Sequence, residues 1–201
     1  MRFTGHPFTL LVVFLLLVGA LIEPAAAQFG SRRPMKKASE IIRRQQGAII
    51  YRDVESRINP GNSHAVITLS TQRLRLMVGN EVYIDSPISS GKRAGQTPTG
   101  TFKILQKDPD HRSSVYGDFV DRRGRVVRSG ISTKVDSAPS GTKYVGAPMR
   151  WFCRLTWSGV GFHVGVLPGY PASHGCIRLP ADIAPLIYQK VRIGTVAVIQ
   201  P

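Results

Sequence analysis

Cys176 and two histidines, His163 and His174, fall within the stretch Gly161 to Pro180. A thiol attacks as its thiolate, which forms when an electropositive neighbour lowers the pKa from about 8.5. A histidine does this by taking the proton and staying beside the sulfur as a cation. These residue types point to acyl transfer by a cysteine, with imidazole as base. Gly175 permits a close turn around the nucleophile. The backbone N–H groups of His174, Gly175 and Cys176 are candidates for an oxyanion site.

His174 lies two residues before Cys176, and a sharp turn at Gly175 takes it off the shared face. His163 comes from another element and approaches freely, so it is assigned as the base, with a backbone carbonyl to orient it. His-x10-His-x-Cys matches no close-paired ligand spacing, so no metal is expected. A nucleophilic Cys176 must stay free as a thiolate. The only other cysteine, Cys153, sits between Phe152 and Arg154 and is expected to be a buried thiol. A structural Cys153–Cys176 bridge is the rival reading for an exported chain.

The elements that deliver these residues read as short strands. Val160 to Val166 carries His163, and a Gly/Pro-rich loop leads to Ser173. Upstream, Ala65–Leu69, Leu74–Val78, Val82–Ile84 and Thr101–Leu105 have strand texture, separated by turns at Gly79-Asn80 and Thr97–Gly100. Phe119-Val120 and Val126-Val127 flank a hairpin loop, Asp121–Arg125. Residues 106–144 are polar and expected to be mobile and near the substrate groove. Gly146 to Thr156 reads as one strand, Val196–Ile199 as the last. Asp182 is expected to cap a helix running to about Lys190, with Pro185 in its first turn. The sum is a mostly β domain, a sandwich or barrel with one or two short helices.

The chain has 201 residues, 42% of them hydrophobic, enough for one cored domain plus extras. Residues 1–27 have a basic start, an apolar run densest at Leu10–Ile22, and Ala25-Ala26-Ala27 before Gln28. That is the three-part pattern of a cleaved export signal. Cleavage removes Arg2 and Glu23, leaving 26 basic against 11 acidic residues and the same net charge of +15. Such a charge either favours contact with an anionic envelope surface or serves solubility alone. Aromatics do not interleave with the basic runs, so nucleic acid is not expected as a partner. Residues 28–62 are basic and read as a linker or arm, with a short helix starting at Ser39-Glu40. Asn59-Pro60-Gly61-Asn62 marks the boundary of a domain over 63–201.

Ser173-His174-Gly175-Cys176-Ile177 with upstream His163 resembles the active-site signature of the L,D-transpeptidases with the YkuD-type catalytic domain. Ala65–Leu74, Ser89-Ser90-Gly91-Lys92, Thr97–Phe102 and Gly194–Ile199 are similar to that family's other landmarks, in the same order. The resemblance implies a β-rich fold, no cofactor and action on peptidoglycan stem peptides. In that family the cysteine attacks the carbonyl of the third stem residue, expels terminal D-alanine and forms a thioester. An amine of another stem or of an envelope protein then resolves it. Carried over, Cys176 is the nucleophile, His163 the base, and the Val164 carbonyl orients the imidazole. His174, Gly175 and Cys176 supply oxyanion amides, and Ser173 shapes the loop. An L,D-carboxypeptidase or hydrolase using water, and a silent wall-binding module, are the alternatives.

Two features depart from the common pattern. Only nine residues separate His163 from Ser173, and Arg178 stands where asparagine is frequent. Arg178 either binds a substrate carboxylate through its planar fork or braces the loop.

Overall fold

Strand periodicity decides which side chains face inward, and here it builds one continuous core. The computed structural model describes residues 45–201. The expected export signal, the expected helix start at Ser39-Glu40 and the part of the expected arm before residue 45 lie outside the described residues. In chain order the strands are β1 (Ile49–Ile50), β2 (Ser63–Thr68), β3 (Arg73–Val78), β4 (Glu81–Pro87), β5 (Gly100–Lys103), β6 (Gln106–Asp108), β7 (Arg112–Val120), β8 (Val126–Ser132), β9 (Lys143–Pro148), β10 (Phe152–Arg154), β11 (Gly161–Val164), β12 (Ile177–Leu179) and β13 (Val196–Gln200). One α-helix among the described residues, α1 (Ala184–Lys190), lies between β12 and β13.

The strands form sheets in the orders β1-β4-β3-β2-β13-β5, β12-β11-β10-β6 and β8-β7-β9. In the first, Ala65 and Ile67 of β2 oppose Leu76 and Leu74 of β3, and all four are buried. Ala197 and Ile199 of β13 join them in parallel pairing with β2. Phe162, Ile177 and Leu179 of the second sheet and Ile183, Ala184 and Ile187 around α1 complete the same cluster. Each fully buried Leu, Ile or Phe contributes roughly 1.5–3 kcal/mol, so the second sheet is held to the first by its inward face.

Two lysines finish the helix and the arm. Lys107 Nζ donates to Tyr188 O (2.7 Å) and Val191 O (2.6 Å), satisfying carbonyls at the end of α1. Lys190 Nζ donates to Glu55 O and Ile58 O, both at 3.2 Å.

The structure corrects the sequence reading in three places. The run Gly146–Thr156 is two strands. Met149 and Trp151 donate their amides to His111 O and Pro109 O (2.8 and 2.9 Å), and Trp151 adopts φ +59°, which breaks the extended chain. Val160–Val166 shortens to Gly161–Val164. Asp182 does not cap α1: the helix starts at Ala184 with no side-chain cap, because Pro180 O accepts the amides of Ile183 (3.2 Å) and Ala184 (3.0 Å). Pro185 does occupy the first turn. The hairpin at Asp121–Arg125 is present, closed by Asp121 N donating to Arg125 O at 2.9 Å.

Candidate active site

β11 and β12 are parallel neighbours, joined by residues 165–176. Parallel pairing forces the chain back to the start of β11 before β12 begins, so this connection returns Cys176 to the level of Gly161. Phe162 pairs with Ile177, His163 with Arg178 and Val164 with Leu179. Cys176 lies one position before Ile177, so Cys176, His163 and Arg178 share one face while Phe162 and Ile177 point to the core. The antiparallel neighbour β10 pairs Arg154 with Gly161, and β6 pairs Gln106 with Arg154 and Asp108 with Phe152. The site face therefore carries two rows. One runs Cys176, Gly161, Arg154, Gln106; the other runs Arg178, His163, Phe152, Asp108.

A cleft of about 390 Å³ opens over these rows. Its walls include His111, Ser113–Tyr116 at the start of β7, Lys134, Pro148, Ser158–Val160 and Ser173–Cys176. The polar middle therefore does border the groove. Among the described residues no Asp or Glu lines it, while Lys134, Arg154 and Arg178 do.

His163 is only 7% exposed. Its Nδ1 lies 2.7 Å from Val164 O, a contact in which Nδ1–H donates and Nε2 is left as acceptor. Burial pushes its pKa down to about 4; the Val164 contact opposes this, and Arg178 and His111 add to it. The Cys176 thiol is pushed up by burial, against the opposing effects of the Gly161 N–H, Arg178 and Arg154. It donates to Gly159 O at 3.4 Å. Burial thus disfavours the charged form of both groups and works against a standing thiolate–imidazolium pair.

Ser173 is buried at the back of the turn that carries Cys176. Its hydroxyl donates to Cys176 O (2.5 Å) and accepts from Gly175 N (3.0 Å). The Gly175 amide is therefore committed to Ser173, whereas those of His174 and Cys176 have no acceptor among the described residues. Gly175 sits at φ +139°, and a Cβ there would approach Gln96 O to 2.7 Å. Thr97 Oγ1 accepts from Gly91 N and donates to Gly175 O, both at 2.8 Å. Gln72 donates to Ser90 Oγ (2.8 Å) and accepts from Ser90 N (2.9 Å), and Ser90 O accepts from Ser173 N (2.9 Å). Three distant landmarks in the chain thus converge on the rear of one turn.

His174 is turned away from the base position. Its ring stacks on Tyr116 (4.2 Å between centroids, 12° apart) and its Nε2 lies 3.2 Å from Lys92 Nζ. Arg178 reaches Val166 O at 3.4 Å and has no carboxylate partner among the described residues. Cys153 and Cys176 are both free thiols. Cys153 points to the core face, fully buried, with its pKa pushed up to about 12 by burial.

Some site residues carry no sequence signal. Arg154 is one basic residue in a β-type run, and only strand pairing puts it beside the site. His111 accompanies them, its Nδ1 3.0 Å from Asp108 Oδ2 and its ring stacked on Phe152 at 4.3 Å. The His-three-after-Asp spacing was its only available mark.

Residues 62–199 match the family model of the YkuD L,D-transpeptidase catalytic domain. No protein of curated function matches the sequence. Among solved structures, the chain is similar to an L,D-transpeptidase from Mycobacterium smegmatis (TM-score 0.52, 25% identity), covering 70% of this chain and 59% of that one. An L,D-transpeptidase from Xylanimonas cellulosilytica shares the fold at 20% identity (TM-score 0.50), with 69% of this chain and 60% of that one covered. One from Stackebrandtia nassauensis does so at 14% identity (TM-score 0.50), with coverages of 70% and 56%. The chain spans less than two thirds of the length of each of these relatives.

Proposed function

Given that the chain belongs to the YkuD L,D-transpeptidase catalytic domain family, we propose that it is an exported enzyme that remodels peptidoglycan through a thioester on Cys176. The observation that carries this is the shared face of β11 and β12, on which Cys176 and His163 open into one cleft while Val164 O holds the imidazole.

As the thiol swings from Gly159 O toward His163, Nε2 takes its proton. Sγ attacks the carbonyl of the diamino acid at stem position three. The His174 and Cys176 amides receive the oxyanion, where one such donor is worth about 10²–10³-fold in rate. His163 returns the proton to the departing D-alanine amine, leaving a thioester. An acceptor amine from another stem or an envelope protein then attacks, gives its proton to His163, and Cys176 recovers it as a thiol. Export and the +15 charge bring the enzyme to an anionic envelope.

The test is incubation of the purified protein with muropeptides, with products read by mass spectrometry. Cross-linked dimers support transfer to an amine, and trimmed stems alone indicate water as acceptor. Unchanged muropeptides with folded protein would overturn the enzymatic reading.

A further inference from the structure

The row of side chains that contains Cys176 also contains Arg154, whose role rests on the donor chemistry proposed above. The two rows on the site face differ in one respect. His163 has Phe152 as its neighbour on β10, whereas the Cys176 row has Gly161 and then Arg154. Gly161 leaves the space between thiol and guanidinium clear of side chain. A Cβ there would meet Cys153 O at 2.4 Å and the Phe152 ring at 2.6 Å. Cys176 and Arg154 stand two strand spacings apart, about 10 Å between backbones, and both line the cleft.

The guanidinium is held in place. Nε donates to Gln106 Oε1 at 2.9 Å, and the group lies over the Phe152 ring, 5.1 Å from its centroid. These contacts use one N–H and one face, leaving the terminal N–H fork free. No carboxylate among the described residues pairs with Arg154, and no acidic side chain lines the cleft. A fixed guanidinium without a counter-ion suits bidentate capture of a carboxylate. Arg178 is less suited, because its N–H already leans on Val166 O.

A donor peptide that ends one residue after the scissile bond carries its carboxylate three bonds from the attacked carbon, within about 4 Å. A carbonyl placed for attack by Cys176 therefore keeps that carboxylate within the cleft that Arg154 lines. We propose that Arg154 forms a subsite for the free C-terminal carboxylate of the donor. A longer stem would set a neutral amide against Arg154.

Two tetrapeptide donors serve as probes, one ending in a free D-alanine carboxylate and one in its carboxamide. Acylation of Cys176 is followed by intact mass. The wild type should favour the free acid by about 10- to 100-fold in kcat/KM, the range of a charged hydrogen bond. Arg154→Gln should abolish the preference, mainly through KM of the free acid, and the free-acid to carboxamide ratio cancels any effect of the lost charge on the thiol. Arg154→Lys should restore part of the preference. Undiminished preference in a folded Arg154→Gln variant would overturn the subsite, and its loss in Arg178→Gln alone would move the site to Arg178. Wild-type Cys176 acylated by neither peptide would overturn the donor reading and the subsite with it.

Discussion

Acid titration tests the reasoning about His163 directly. Burial takes its pKa from 6.5 to about 4. At 1.36 kcal/mol per unit this difference amounts to about 3 kcal/mol. Between those values the unfolded chain binds a proton at this residue that the folded protein does not. Stability therefore rises with pH through the window. The folded state suffers nothing from this group above pH 6.5 and loses stability progressively as pH falls toward 4. Catalysis follows the same titration, because only the neutral ring accepts the thiol proton. The rate of thioester formation should stay level from neutral pH down to about 5 and fall by half near pH 4, not near 6.5. The assay is intact-mass measurement of acylated Cys176 after short incubations with a muropeptide donor across that range. Thermal unfolding of wild type and His163→Gln in the same buffers provides the second arm. The variant should acylate about 10²–10⁴-fold more slowly and lose part of the stability slope between pH 6.5 and 4. A half-loss of acylation near 6.5, or an unchanged slope in the variant, would refute the buried neutral base.

Three further outcomes follow from the packing around the turn. Cys176→Ala should form no acyl adduct, whereas Cys153→Ala should form one at near wild-type rate and lose about 1 kcal/mol of stability; an adduct on Cys153 in the first variant would contradict its burial. Thr97→Val leaves the Gly91 amide and Gly175 carbonyl without their partner. It should cost about 1–3 kcal/mol per orphaned group, seen as a lower Tm, and an unchanged Tm would show that the hydroxyl is no brace. Gly175→Ala meets both a positive φ and the Gln96 carbonyl. It should displace the nucleophile and slow acylation about 10²-fold, and wild-type kinetics would show that the turn tolerates a side chain.

The strands of the first sheet were legible because alternation at Leu74, Leu76 and Val78 is a local property. The β7–β8 hairpin was equally plain from Asp121–Arg125. Boundaries that depend on distant partners were not. Trp151 leaves the strand because its amide and that of Met149 find carbonyls at Pro109 and His111. Asp182 is spared as a cap because Pro180 O already serves the amides at the start of α1.

Residue type and order alone determined that a cysteine and a histidine would be brought together on a β scaffold, since reactivity and strand period are written locally. Tertiary structure decided the rest. Strand pairing between residues 48 apart in sequence put Gln106 and Arg154 beside each other and so completed the Cys176 row. Burial, which exists only once the sheets pack, shifts both groups away from their charged forms. The bracing of one turn by Gln72, Ser90 and Thr97 likewise arises only when the chain is folded, because each hydrogen bond joins residues that periodicity cannot relate.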